Sequence, residues 1–359
     1  MSKRLLILAA GGTLGLMAVI LVLLGNPANM GYCIACFLRD ITGGLGFQRA
    51  VPVQYIRPEI IGLVLGAFFT SLATKEFRSV GGSSAFTRFI LGFIAMIGML
   101  VFLGCPVRAV LRLAGGDLNA GVGLIGLVAG VLIGVQFLKN GFTLGRAVPQ
   151  QRGNGYLFTG LMVVLLILLL AQPAFIFFSE QGPGSMAAPI WIALGAGLIV
   201  GIMAQRSRLC MVGGIRDYIF FRDGHLLYGF VAIFIVALIG NLAVGAFKIG
   251  FEGQPVAHTD GLWNFLGMTL AGWAAVLLGG CPLRQLVAAG EGNTDCAVTI
   301  MGIMAGAAVA HNFGLAASPA GVPVAGQVAV ILGMLAVAVI GILNRPAAVT
   351  GGASIGKGS

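Results

Sequence analysis

Charge is what this chain has least of. Only 21 basic and 11 acidic residues occur among 359, 9% in all, against about 25% in soluble domains. Together with 58% hydrophobic residues and a mean hydropathy of +1.02, this excludes a water-soluble globular class and expects a protein solvated by the lipid bilayer. Acid is scarcer than base, so the formal charge is +10. The basic residues are scattered between apolar segments, however, and form no basic face interleaved with aromatics, which excludes a nucleic-acid partner. Histidine is scarcer still: His225, His258 and His311 stand apart from one another. They offer no haem or quinone ligand set, and no second pair of ligands exists to complete a zinc site, so neither metal nor cofactor is expected. Only His311, near a helix end beside Asn312, is placed to face a path.

Glycine is abundant instead, at 58 residues, roughly twice the usual share of about 7%. Repeats such as Gly62-x3-Gly66, Gly126-x3-Gly130-x3-Gly134, Gly197-x3-Gly201 and Gly302-x3-Gly306 are the stripes through which helices approach closely in lipid. Gly121-x-Gly123-x-x-Gly126 has the spacing of a dinucleotide fingerprint, but it lies inside an apolar crossing with no strand before it, so that reading is discarded. Ten segments are long and apolar enough to cross a bilayer: 5–25, 59–75, 86–104, 119–138, 156–178, 188–206, 225–247, 260–280, 295–315 and 325–343. The first is long for a signal sequence and lacks a small-x-small cleavage site, so it reads as a retained helix. Lys3 and Arg4, then Lys75, Arg78 and Arg88, then Lys139, Arg146 and Arg152, then Arg206, Arg208 and Arg222, then Arg345 and Lys357 fall on alternate loops. By the positive-inside rule, both termini are expected in the cytoplasm of a bacterial inner-membrane protein. Arg39, Arg49 and Arg57 break that rule between the first two crossings.

The chain also repeats itself. Phe102-Leu103-Gly104-Cys105-Pro106-Val107-Arg108 is echoed by Leu278-Gly279-Gly280-Cys281-Pro282-Leu283-Arg284, and Cys33-x5-Arg39-Asp40 by Cys210-x5-Arg216-Asp217. The two offsets agree to within one residue. Four short stretches carry these motifs, near 33–47, 106–114, 209–220 and 282–290. Each is too short to span, and each is expected as a re-entrant half-helix surrounded by protein or a water-filled path. Five crossings per copy is an odd number, so the second copy is expected upside down relative to the first. The expected fold is an all-α polytopic membrane protein of about ten transmembrane helices and four half-helices. Its two inverted repeats are 1–178 and 179–345, followed by a cytoplasmic tail, 346–359.

In Gly-Cys-Pro the glycine permits a sharp break, and proline suits the first position of a new helix. The unpaired N–H groups of that helix then face the thiol and form an anion site, which Arg108 and Arg284 strengthen from one turn inside. Cys33, Cys105, Cys210 and Cys281, with Arg39, Arg108, Arg216 and Arg284, are therefore the expected substrate path. Cys36, Asp40, Asp217 and His311 are secondary candidates. Cys33-x-x-Cys36 also has redox spacing, which keeps a membrane thiol oxidoreductase as the alternative, yet Gly213 stands opposite Cys36 in the second copy. Cys296 has no echo and is assigned to packing; Asp117 and Glu291 are expected to tie off loops. A path of thiols, helix N-termini and arginines suits a small anion that tolerates soft contacts, a sulfur or selenium species. Neutral S–H groups would hydrogen-bond it in turn, with covalent sulfur transfer between thiolates ranked second.

These motifs resemble the YeeE/YedE sulfur-transport family. The resemblance rests on Cys33-Ile-Ala-Cys36-Phe-Leu-Arg39-Asp40, Gly104-Cys105-Pro106-x-Arg108, Arg208-Leu-Cys210-Met-Val-Gly-Gly-Ile-Arg216-Asp217 and Gly280-Cys281-Pro282-Leu-Arg284. Asn29-Met30-Gly31-Tyr32-Cys33, Gln54-Tyr55-Ile56-Arg57-Pro58-Glu59 and Gly290-Glu291-Gly292-Asn293-Thr294-Asp295 resemble its YedE branch, named for selenium transport. The resemblance covers residues 5–345. It implies an hourglass-shaped inner-membrane importer with pseudo-twofold symmetry and no enzymatic activity. Thiosulfate or a selenium compound would pass along Cys33, Cys105 and Cys281 to a TusA-like carrier protein in the cytoplasm. Gly31-Tyr32 before Cys33, where the second copy has Arg208-Leu209, and the additional Cys36 depart from the family pattern.

Overall fold

The computed structural model describes residues 2–345; the expected tail, 346–359 with Lys357, lies outside the described residues. Ten long helices are present: α1 (Lys3–Leu23), α3 (Pro58–Ala73), α4 (Ala85–Phe102), α6 (Leu118–Lys139), α7 (Arg152–Ala171), α8 (Ile190–Ser207), α10 (His225–Ala243), α11 (Gly261–Leu277), α13 (Thr294–Asn312) and α14 (Val324–Leu343). Each belongs to a segment long and apolar enough to cross a membrane. Four short helices lie between them: α2 (Ile34–Gly44), α5 (Pro106–Ala114), α9 (Met211–Phe221) and α12 (Pro282–Gly290). The protein is thus an all-α polytopic membrane protein. One boundary differs from expectation. The fifth crossing stops at Ala171 because Gln172 turns left-handed, φ 45°, and Pro173 cannot continue a helix. The remaining apolar residues turn back, and Phe177 packs against Gly46.

The long helices pair across the halves of the chain. α1 packs on α10 as α3 packs on α8, and α6 packs on α11 as α13 packs on α4. α4 and α11 form the buried centre, whereas α7, α10 and α14 expose leucine, isoleucine and valine outward, as lipid-facing helices do. The last helix of each half departs from this exchange: α7 lies on α3, α12 and α13, but α14 lies on α4 and α11.

Glycine makes these pairs possible. A Cβ on Gly130 would strike the carbonyl oxygen of Thr269, and one on Gly66 that of Leu198, both backbone atoms that cannot move aside. Gly130→Val is therefore expected to separate α6 from α11. The overpacking cost of about 1–3 kcal/mol is a lower bound here, and it reads out as early melting or loss of monodisperse protein on size exclusion.

The loops gather at two opposite ends. At one end Asn29 meets Gln254, Asn26 meets Ala188, Ser179 meets Gln54, and Gly115 and Gly116 meet Lys248 and Gly250. At the other, Val80–Gly81 forms a two-residue antiparallel pairing with Val148–Pro149, and Arg78 meets Glu291. The first is called the Cys33 end and the second the Cys281 end. The exception in the basic-residue count now has a cause. Arg39 and Arg57 sit at the Cys33 end but are buried, at 2% and 0% exposure; of the three, only Arg49 reaches the surface.

Candidate functional site

Each of the four short helices begins at one of the four repeated cysteines. Cys33, Cys105, Cys210 and Cys281 are the N-caps of α2, α5, α9 and α12, all with extended backbone. Two residues before each cysteine the chain is left-handed: Gly31 (φ 40°), Leu103 (φ 60°), Arg208 (φ 58°) and Gly279 (φ 87°). At Leu103, Arg208 and Gly279 the kink falls at the end of the preceding long helix; α1 has already ended at Leu23, and Gly31 turns the chain into the next helix. Each half uses glycine once and a bulky residue once. Leu103 and Arg208 hold a conformation that costs about 1–2 kcal/mol without glycine.

The caps bring the thiols together in two pairs. Cys33 Sγ lies 4.0 Å from Cys105 Sγ, and Cys210 Sγ lies 3.7 Å from Cys281 Sγ. Cys33 accepts the Cys36 N–H at 3.3 Å and Cys210 the Gly213 N–H at 3.2 Å. The backbones of Ala35 and Arg108 face Cys105, and those of Met211 and Arg284 face Cys281. Every thiol therefore sits among helix N-terminal donors, where partial positive charge favours an anion. All four are buried and unbridged. A small apolar cavity lined by Pro106, Pro282, Met99, Gly280 and Gln285 lies between the two Cys-Pro helices.

The arginines divide. Arg108 is fully buried; it donates to the carbonyls of Asn29 (2.8 Å), Val256 (3.0 Å) and Leu103, and to Cys36 Sγ at 3.2 Å. Arg284 is partly exposed and donates to both oxygens of Glu291, at 3.4 and 2.9 Å. The two Arg-Asp echoes also differ. Arg39 donates twice to one oxygen of Asp40 while Arg57 Nε takes the other at 2.8 Å. Arg57 is held further by the carbonyls of Met186 and Pro183 and by the rings of Phe37 and Tyr55. Arg216 and Asp217 form a 2.8 Å pair that is about a quarter exposed at the Cys281 end, which suits an interfacial anchor.

Cys36 lies beside Cys33, but each has a further neighbour: Cys33 faces Cys105, and Cys36 faces Arg108. His311 lies on α13, which packs on α2, and its Nε2 is buried without a partner among the described residues. His258 instead packs, its Nε2 2.7 Å from the Val101 carbonyl. Desolvation outside the spanning segments holds its imidazole below the usual histidine range, so it stays neutral. Cys296 belongs to the first turn of α13 and contacts none of the four path thiols. If the four repeated cysteines line a substrate path, Cys296→Ala is expected to leave uptake within twofold of wild type, measured as an initial rate.

Several partners escaped the sequence. Asp117 does cap its loop, accepting the Asn119 N–H, but it also takes Arg112 Nε at 2.6 Å. Glu291 binds Arg208 Nη1 at 2.6 Å as well as Arg284, and Glu76 binds Arg206 and Arg208. Glu59 is fully buried on Asn26 at 2.7 Å. Arg57, out of place by the charge rule, and Asp117 and Glu291, each following a Cys-Pro helix, carried a signal beforehand; Arg112, Glu76 and the arginine partners of the acids did not.

Fold and site together define a polytopic membrane protein whose core is built from paired, half-helix-capping thiols and buried arginines. Residues 206–355 match the family described as sulphur transport. The thiosulfate transporter TsuA of Spirochaeta thermophila is 32% identical over 105 residues, covering 29% of this chain and 31% of that protein. TsuA of Escherichia coli strain K12 is 26% identical over 131 residues, covering 35% and 36%. The aligned stretches span about a third of the length of these curated relatives. These are similarities over part of the chain, the family match covering less than half of it, and both relatives are named for thiosulfate.

Proposed function

We propose that this protein imports a small sulfur-containing anion of the thiosulfate type across the bacterial inner membrane. The anion would pass from the Cys33–Cys105 pair to the Cys210–Cys281 pair. The observation that carries this reading is the convergence of four repeated cysteines, from four separate helices, into two buried thiol pairs, each at facing helix N-termini. Thiols at such sites offer an anion weak, replaceable hydrogen bonds, and multi-site weak binding permits conduction. Neither pair is open to the surface, so passage requires the short helices to move.

The exchange of packing partners between the halves supports two inverted repeats, 1–178 and 179–345, with the site on the pseudo-twofold axis between them. Apart from Arg49 and Lys248, the surface-exposed basic residues lie at the Cys281 end, which supports that end, and both termini, facing the cytoplasm. A TusA-like carrier is the partner proposed for that side, and selenium species, soft like thiosulfate, are the competing substrates. Uptake of radiolabelled thiosulfate into cells that express this chain and lack other sulfur importers tests the reading, with selenium species as competitors. Saturable uptake supports it. No uptake from protein shown to be in the membrane overturns thiosulfate as the substrate.

A further inference from the structure

The two halves neutralise their thiol-facing arginines differently. In each half an acid follows the Cys-Pro helix, Asp117 in the first and Glu291 in the second. In the first half Arg112 captures that acid, with Nε 2.6 Å from Asp117 Oδ2, and stacks 4.4 Å over Phe102. In the same register the second half has Ala288 opposite Arg112 and Asn293 opposite Asp117, so no such pair forms there, while Glu291, where the first half has Gly115, closes on Arg284. Arg208, which stands where the first half has Gly31, binds Glu291 from the other side. Arg108 is left with no carboxylate within ion-pair distance among the described residues. Its partners are three carbonyls and the Cys36 thiol.

A buried guanidinium without a counter-ion is costly, because carbonyl dipoles solvate the cation but leave its net charge standing. An arriving anion removes that cost at Arg108. At Arg284 the charge is already balanced by Glu291 and partly hydrated, so the same anion gains less. We infer that Arg108, with Cys36, is the high-affinity anion site of the path, and that Glu291 is a built-in competitor that lowers anion affinity at Arg284 and speeds release at the Cys281 end. The ligand class is a monoanion or dianion with soft outer atoms. The guanidinium supplies the charge, and Cys36 adds a third thiol beside Cys33 and Cys105 on this side only. This rests on the transport reading above and assigns its two sides unequal affinity. The direction of net flux still follows the gradient; the asymmetry sets KM on one side and release on the other.

The test uses the purified full-length protein with thiosulfate as the probe, measured both as equilibrium binding in detergent and as uptake into oriented proteoliposomes. Losing a charged hydrogen-bond donor that meets the anion costs about tenfold or more in affinity. Arg108→Gln is therefore expected to raise KM and Kd by about that factor, whereas Arg284→Gln shifts them less than about threefold. Glu291→Gln, which removes the competitor, is expected to tighten binding several-fold while lowering the maximal rate. If Arg108→Gln fails to accumulate, Arg108→Lys serves in its place: it keeps the charge without the guanidinium's fork, and a rise in KM smaller than that of Arg284→Gln would count against the inference. Equal responses to Arg108→Gln and Arg284→Gln, or unchanged binding in Glu291→Gln, overturn the asymmetry while leaving transport standing. Wild-type protein that neither binds nor moves thiosulfate overturns the transport reading and this inference with it.

Discussion

Under the proposed transport function, Cys105→Ala and Cys281→Ala are each expected to lower thiosulfate uptake by about 10- to 100-fold while leaving the protein folded in the membrane. Neither thiol caps its own helix through its side chain, and the following proline needs no N–H partner at the first helical position. Truncation therefore removes one small buried group and leaves the half-helix start intact. What is lost is half of a thiol pair, and with it a donor that the proposed passage places against the substrate. Losing such a contact to a charged ligand costs about 1.5–3 kcal/mol, and a second penalty follows if transfer from one sulfur to the next needs both.

Cys33 and Cys210 differ, because each sulfur also accepts an N–H of its own helix. Cys33→Ala should lose cap stability as well as uptake, at about 0.5–2 kcal/mol for a lost cap. Cys33→Ser, which keeps a capping oxygen, should recover the melting temperature but not the transport. Initial uptake rates, normalised to protein in the membrane, check all of these against the silent Cys296→Ala. Full transport in both Cys105→Ala and Cys281→Ala would sink the relay.

The largest effect on stability is expected at Asp40. Its two oxygens are divided between Arg39 and Arg57, and all three side chains are nearly or wholly buried. Asp40→Asn leaves two guanidinium groups in the protein interior without a counter-ion. Breaking a single buried pair costs about 3–5 kcal/mol, a large part of the stability of an ordinary domain. The variant should melt early in detergent or fail to accumulate. The effect should also reach the site, since Asp40 lies on α2, the helix that presents Cys33 and Cys36, and Arg57 ties that helix to the loop at Pro183 and Met186. Asp217→Asn provides the contrast. Its pair with Arg216 is partly exposed, so the cost should be near the 0–1 kcal/mol of surface pairs, and the melting temperature should hardly move. Equal melting temperatures for the two variants would show that Asp40 is not the structural anchor described here.

Much of this was legible in the residues alone. The ten long helices and four short ones fall within a few residues of their expected places, because apolar length is a property of each segment by itself. The exception at 172–178 arose because an apolar run says nothing of where the backbone turns, and Gln172 took a left-handed conformation that its side chain does not announce. The cysteines were readable as a set through the repeat, and the Cys-Pro context marked them as helix starts. Their pairing was not, since nothing in the spacing says that Cys33 meets Cys105 while Cys36 meets Arg108. The matching Arg-Asp motifs looked equivalent, yet only the first is buried and shared with a third residue, Arg57.

The sequence by itself determined the solvent, the number of crossings, the doubled motif and the thiol-arginine chemistry, since these follow from composition and local order. Only the tertiary structure decided which thiol faces which, and which carboxylate neutralises which arginine. Ion pairs and thiol contacts act over a few ångströms, and residues that distant parts of the chain bring within that range carry no mark of it in their own neighbourhoods. Asp117 and Glu291 show the consequence. Each is the acid that follows a Cys-Pro helix, but Arg112 takes the first, and the second is left for Arg284.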